Sequence, residues 1–333
     1  HVHRAGIAAA AIESLSRPAL IVTPDEDASR RMAEDLLGFS GIQATVLPAR
    51  EFMFHNIESA SHGWEHQRIG ALHRMMTDAS GVTIAPVEAL MSAAIPPQVL
   101  EEGAFTLACG ETYFLDNLLE QLTRAGYARS AAVEGPGQFA VRGDILDFYS
   151  PEAEYPVRAE FFGDELDSLS YFSIDSQRRG ERIERALILP CREVLPHLGA
   201  TDVKGLAKLL NKLAAANLTK RAELAKNLTR DAERLEQLGS LPAIDRYLSA
   251  VYPDKLYTAL DYLPEDTLVF FSDSGRVREA AKAFTFRMGE DIKSLAEGGL
   301  IMPKLCACYI DYSEFIYNVE KQDVITLLSL IHI

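Results

Sequence analysis

The sequence is poor in the residues that most direct chemistries require. Four cysteines in 333 residues cannot staple a small secreted scaffold. Cys109 and Cys191 stand alone, and the Cys306-x-Cys308 pair has no second Cys or His pair nearby, so reduced thiols in a cytoplasmic protein are expected. There is no Gly-Lys dipeptide, which removes the G-x-x-x-x-G-K-[ST] loop that cradles phosphates, and there is no G-x-S-x-G nucleophile elbow. No apolar run approaches the ~18 residues of a membrane span, so no membrane partner is expected. Positive charge is also scarce: 33 Lys and Arg face 48 Asp and Glu, a net of −15. That sign argues against a chain gripping DNA over a broad surface, because phosphates are held by Lys and Arg.

Two weaker motifs remain, and neither builds a site. Gly135-Pro136-Gly137-Gln138-Phe139-Ala140 reads as G-x-G-x-x-A but runs into a strand, so no helix N-terminus follows to hold a pyrophosphate. His62 and His66 have i,i+4 spacing with His73 nearby, but His-Gly-Trp-Glu-His is not the H-E-x-x-H order and no third ligand follows. The expectation is therefore no catalytic residue, no cofactor and no metal.

What is present is an ordinary globular composition, 48% apolar and 24% charged, enough for two or three domains. Pro18 and Pro24 enclose the apolar run Ala19 to Thr23, which predicts a buried strand. A helix follows from Asp25, with Ala28, Met32, Ala33, Leu36 and Leu37 as its stripe and Gly38 as its stop. Thr45 to Leu47 and Val82 to Ala85 are further strands, around a helix carrying Ile69, Leu72, Met75 and Met76. This alternation predicts a parallel sheet covered by helices, over residues 1–108.

From 109 to 195 the texture changes to a small antiparallel β-rich insert, opening with one helix with Phe114, Leu118 and Leu122 on its stripe. Residues 196–300 read as a helical part that completes the first domain. Its stripes are Val203, Leu206, Leu210 and Leu213, then Leu224, Leu228, Leu235 and Leu238, and a strand returns at Thr267 to Phe271. Lys204, Lys208 and Lys212 form a row that reads as a solvated face. Residues 301–333 are left unassigned. The chain opens at His1 without Met and closes on the apolar run Thr326 to Ile333, so a piece of something longer is expected, with residues 301–333 open to being native or non-native.

Strand alternation inside the insert sets two faces. Phe139 and Val141 point one way and Arg142 the other; Val157, Ala159 and Phe161 share a face opposite Arg158, Glu160 and Phe162. The charged pair predicts a wet face with Phe162 exposed beside Arg158. Between Cys109 and Pro190 every cation is an arginine, eight in all against fifteen acids. Arginine beside an exposed aromatic is hot-spot composition for a protein partner; the equal alternative is that Phe162 caps the core at a hairpin with the arginines in surface ion pairs.

The same residues carry a resemblance. Phe139-x-Val141-Arg142-Gly143-Asp144-Ile145 with Arg158-x-Glu160-Phe161-Phe162-Gly163-Asp164-Glu165 resembles the UvrA-interaction domain shared by UvrB and the bacterial transcription-repair coupling factors (Mfd). The flanks Val22-Thr23-Pro24-Asp25, Pro48-Ala49-Arg50-Glu51-Phe52, Glu65-His66-Gln67-Arg68-Ile69, Asp175-Ser176-Gln177-Arg178 and Ile244-x-x-Tyr247-Leu248 are similar to the coupling factors.

The resemblance implies an α/β fold: a degenerate RecA/Rossmann-like parallel-sheet domain, an inserted UvrB domain 2-like module and a helical C-terminal part. It implies a non-enzymatic adaptor in the cytoplasm that recruits UvrA to RNA polymerase stalled at DNA damage, with Arg142, Arg158 and Phe162 as contacts. Arg142 and Arg158 would offer guanidinium forks to carboxylates on UvrA. RNA polymerase and DNA would be held by domains beyond this chain, and without the family's masking domain the UvrA surface would stay open. The alternatives are a UvrB-like or nucleotide-hydrolysing module with an unconventional phosphate site at Gly6, and a DNA-binding module using the lysine row.

Overall fold

The computed structural model describes residues 2–57 and 62–327. The first stretch alternates α1 (Val2–Leu15), β1 (Ala19–Thr23), α2 (Glu26–Ser40), β2 (Ala44–Val46), α3 (Gly63–Thr77) and β3 (Val82–Pro86). Two short helices follow, α4 (Val87–Met91) and α5 (Pro97–Gly103). Asp25 caps α2 by accepting from the Ala28 amide at 2.7 Å. The helix runs past Gly38, the stop expected from sequence, and ends at Gly41. Only Gly41 takes the left-handed conformation (φ 72°) that lets its amide reach the Leu37 carbonyl at 3.0 Å.

The chain then enters the insert through β4 (Phe105–Ala108), α6 (Leu115–Arg124) and β5 (Ala128–Arg129). The strands β6 (Gln138–Arg142), β7 (Ile145–Phe148), β8 (Val157–Phe162), β9 (Glu165–Phe172) and β10 (Arg179–Ile183) follow. They form a six-stranded sheet in the order β10-β9-β8-β7-β6-β5, antiparallel except for β5 with β6. The exit strand β11 (Arg185–Ile188) pairs antiparallel with β4, so one two-stranded neck carries the chain in and out. Leu118 and Leu122 of α6 pack on Phe139, Leu146, Phe148 and Leu166. Phe114, expected on the same stripe, precedes the helix with extended backbone (φ −77°, ψ 117°) and points to solvent.

After the insert come α7 (Val203–Asn217), α8 (Ala222–Leu238), α9 (Leu248–Val251), β12 (Leu268–Ser272), α10 (Ser274–Glu297), α11 (Tyr312–Val319) and β13 (Asp323–Leu327). Helices α7 and α8 bury Leu206 and Leu210 against Leu224, Leu228 and Leu235, whereas Leu238 is exposed. The first sheet has the order β13-β12-β1-β3-β2 and is parallel throughout. Ile21, Ile84 and Phe270 pack on α1 and α2 through Ala5, Ile12, Met32 and Leu36. Leu20, Val22, Val269 and Phe271 face the other way, onto Leu72, Phe284 and Met288. Both faces are covered, which is why these strands read as unbroken apolar runs.

Residues 301–327, left unassigned by the sequence, belong to this sheet and its core. β13 pairs with β12 from Leu268↔Asp323 to Ser272↔Leu327, and Ile301, Cys306, Cys308, Ile310 and Phe315 are buried. Residues 328–333 of the apolar tail lie outside the described residues. Among the described residues no helix is long and apolar enough to cross a membrane.

Candidate partner-binding site

The register of the insert decides which side chains share a surface. Arg142 pairs with Ile145, and Ile145 with Glu160; Ala140 pairs with Asp147, and Asp147 with Arg158. Cross-strand partners point to the same side, so these two rows and Phe162, two residues beyond Glu160, occupy one face. The opposite face carries Phe139, Phe148, Val157, Ala159 and Phe161, all buried. Two-residue turns at Gly143-Asp144 and Gly163-Asp164 close the β6–β7 and β8–β9 hairpins, each with glycine at positive φ (61° and 64°). The repeated Gly-Asp of the sequence is thus a hairpin device that brings the ends of β6 and β8 to the same edge.

The three residues expected on this face are indeed together, but they differ in freedom. Phe162 is 83% exposed. Arg142 is exposed and spends one nitrogen on the Ala131 carbonyl at 3.2 Å, leaving its other donors outward. Arg158 is not the open fork expected from sequence. Its Nε and Nη2 donate to both oxygens of Asp147 at 2.7 and 2.8 Å, its Nη1 reaches the Gln177 carbonyl at 3.3 Å, and its guanidinium lies 4.8 Å from the Phe172 ring centre. Its side chain is 12% exposed and that of Asp147 3%. The physical reason is register: the β7–β8 pairing sets Asp147 beside Arg158, and a buried carboxylate requires a bidentate partner. Glu160 is likewise occupied, by Arg179.

A second set of charges was not legible as a cluster. Arg50 meets Glu193 at 3.4 Å and Asp245 at 2.7 Å, and the Arg68 Nε meets Glu193 at 2.7 Å. Glu65 accepts from the Glu193 amide at 2.7 Å and from Arg192 at 3.4 Å. Nearby, Asp231 holds Arg246 and the Tyr247 hydroxyl, each at 2.7 Å. The network ties the loop after the exit strand β11 to α3, to the loop after β2 and to the turn before α9. Burial pushes the Glu65 carboxyl up, but the His62 hydrogen bond, Arg192 and the Glu193 amide outweigh it and hold the group at about 2. Burial, helped by the charges of Arg192 and His62, outweighs the neighbouring Glu65 and pushes His66 down to about 4. The only available signal was that Arg50, Glu65, Arg68 and Tyr247 sit inside the flanking motifs quoted above.

The other candidate sites lack their chemistry. His62 bonds Glu65 at 3.2 Å, and among the described residues no group of His, Cys, Asp or Glu could hold a metal ion. The four cysteines are free thiols, with Cys191, Cys306 and Cys308 buried. Gly6 lies within α1, past the first-turn amides that could face a phosphate. The N-terminus of α2 is filled by the Asp25 cap and flanked by Glu26 and Asp27, which would repel one. Lys204, Lys208 and Lys212 lie exposed on α7, as expected of a solvated row.

Comparison with known proteins follows the same boundaries. Residues 105–193 match the family model described as the UvrB interaction domain, beginning at the neck strand β4. The transcription-repair-coupling factor of Bacillus subtilis is 30% identical over 294 residues, covering 86% of this chain and 25% of that protein. The transcription-repair-coupling factor of Escherichia coli is 28% identical over 271 residues, covering 80% and 22%. UvrABC system protein B of Thermosipho africanus is 26% identical over 288 residues, covering 79% and 43%. The chain therefore spans about a quarter of the length of the coupling factors it matches. Fold, insert and relatives agree: the chain resembles the amino-terminal UvrB-like module of the transcription-repair coupling factors, with the UvrB interaction domain as its insert.

Proposed function

We propose that this chain is a non-catalytic adaptor that docks UvrA on the outer face of its insert, through Arg142, Arg158 and Phe162. In that reading it brings nucleotide excision repair to RNA polymerase stalled at DNA damage. Contacts with polymerase and DNA fall to other parts of the longer coupling factors. The observation that carries the reading is Phe162: a large apolar ring, 83% exposed, at the end of β8 in the interaction domain, paired with Glu165 just past a bulge. Such a ring gains most of its burial only when a partner covers it. Arg142 adds outward donors beside it, and Arg158 contributes by fixing Asp147 and hence β7 against β8.

The test is a titration of purified UvrA with this chain, followed calorimetrically. Saturable binding lost in Phe162→Ala supports the adaptor; binding unchanged by that substitution removes its platform. The adaptor also gives no heat with ATP and magnesium, whereas saturable heat would favour the nucleotide-hydrolysing alternative.

A further inference from the structure

The segment joining β4 to α6 returns to the same edge of the insert. The Gly110 amide donates to the Leu166 carbonyl at 2.8 Å, the Leu166 amide to Glu111 at 2.9 Å, and the Tyr113 amide to Asp164 at 2.7 Å. Thr112 pairs antiparallel with Glu165. Residues 110–113 thus extend the sheet beside the start of β9, where β10, which pairs only with residues 169–172, does not reach. Phe162 pairs with Glu165 and Glu165 with Thr112, so the three share the outer face. Alternation then turns Tyr113 inward, where it packs on the insert core, and Phe114 outward. Phe114 is 61% exposed and makes no side-chain capping bond to α6. Two phenyl rings from distant parts of the chain therefore flank the Gly163-Asp164 turn on one side.

Their surroundings are acidic. Glu111, Asp116, Asp144, Asp164 and Glu165 are all exposed, and among the described residues none of them makes an ion pair. Arg142, bonded to the Ala131 carbonyl and to no carboxylate, is the cation of the adjoining row. A partner that buried both rings would place its own charges against this rim, and like charges there would oppose it.

The geometry points to a two-ring anchor: Phe114 and Phe162 together seat on UvrA, in a patch whose apolar sockets are bordered by Lys and Arg. The inference rests on the UvrA reading above and adds to the Arg142 contact a rim of opposite sign, carboxylates offered by this chain to cations of the partner.

The test compares binding of purified UvrA to the full chain carrying Phe114→Ala, Phe162→Ala, or Asp144→Asn with Asp164→Asn. Circular dichroism and melting should match the unsubstituted chain, because all four side chains are exposed. Phe114→Ala should weaken binding on the order of tenfold or more, as central aromatic anchors do. Phe114→Leu, which keeps apolar bulk, should restore part of it. The double Asn variant should associate several-fold more slowly at low salt and no differently at high salt, since screening removes a rim charge effect. Normal binding by Phe114→Ala alongside loss in Phe162→Ala would overturn the two-ring anchor and leave the UvrA reading standing. Faster association of the Asn variant would overturn the basic-bordered patch. Normal binding by Phe162→Ala would overturn the UvrA reading itself.

Discussion

Replacing Arg158 with alanine should unfold part of the docking face rather than simply remove a contact. The substitution leaves the Asp147 carboxylate, 3% exposed, without the two hydrogen bonds at 2.7 and 2.8 Å that neutralise it. Breaking a fully buried pair from one side costs about 3–5 kcal/mol. Arg158 retains 12% exposure and water can enter the gap, so about 2–3 kcal/mol is expected here. The lost stacking on Phe172 adds about 0.5–1 kcal/mol. In a unit of the insert's size each kcal/mol lowers the melting temperature by roughly 4–8 °C, so the fall should be about 10 °C or more. Scanning calorimetry reads this directly. Phe162→Ala serves as the contrast, because an exposed ring should change stability by no more than about 0.5 kcal/mol.

A double variant, Asp147→Leu with Arg158→Met, separates the two possible roles of the guanidinium. Apolar replacement of both partners should recover much of the stability. If Arg158 acts by holding the face, UvrA binding should return with it. An Arg158→Ala chain that melts with the unsubstituted protein would refute the reasoning, and the residue would then be an open contact after all.

Two further outcomes follow from the buried charges. His66 is held at about 4 by burial, below its unfolded value of 6.5, so the unfolded chain takes up its proton first as the medium acidifies. Its contribution is complete above about pH 6.5 and is lost as pH falls towards 4, by at most about 3 kcal/mol at 1.36 kcal/mol for each pH unit. His66→Gln should flatten melting temperature against pH in that window, and an unchanged profile would contradict the assignment. Glu65, held at about 2 against an ordinary 4.5, adds a second loss only below about pH 4.5. Glu193→Ala leaves the fully buried Arg68 guanidinium without a carboxylate and Arg50 with Asp245 alone, and should cost about 3–5 kcal/mol by chemical denaturation. A loss below about 1 kcal/mol would mean that the joint does not depend on this network.

Local periodicity made the sheets readable. The apolar run between Pro18 and Pro24 became a central strand, and the alternation in Val157 to Phe162 put Phe162 outside, as its 83% exposure shows. What periodicity omits is the neighbour. Arg158 reads as an outward cation until the β7–β8 register sets Asp147 beside it, and register depends on turn geometry across the sheet. Phe114 fits a helical stripe with Leu118 and Leu122 by spacing, yet the helix starts one residue later and the extended backbone turns the ring out. Arg50, Arg68 and Glu193 look like surface charges, because nothing in their local sequence reports that three segments meet over them. The strand at Asp323 to Leu327 is short and preceded by charge, and only its parallel pairing with β12 reveals its place.

The most direct measurement is the affinity of purified UvrA for this chain and for its Phe162→Ala variant, by calorimetry under identical conditions. The account predicts saturable binding that weakens on the order of tenfold or more when the ring is removed, with the melting temperature unchanged. Equal affinity for the two chains would contradict it.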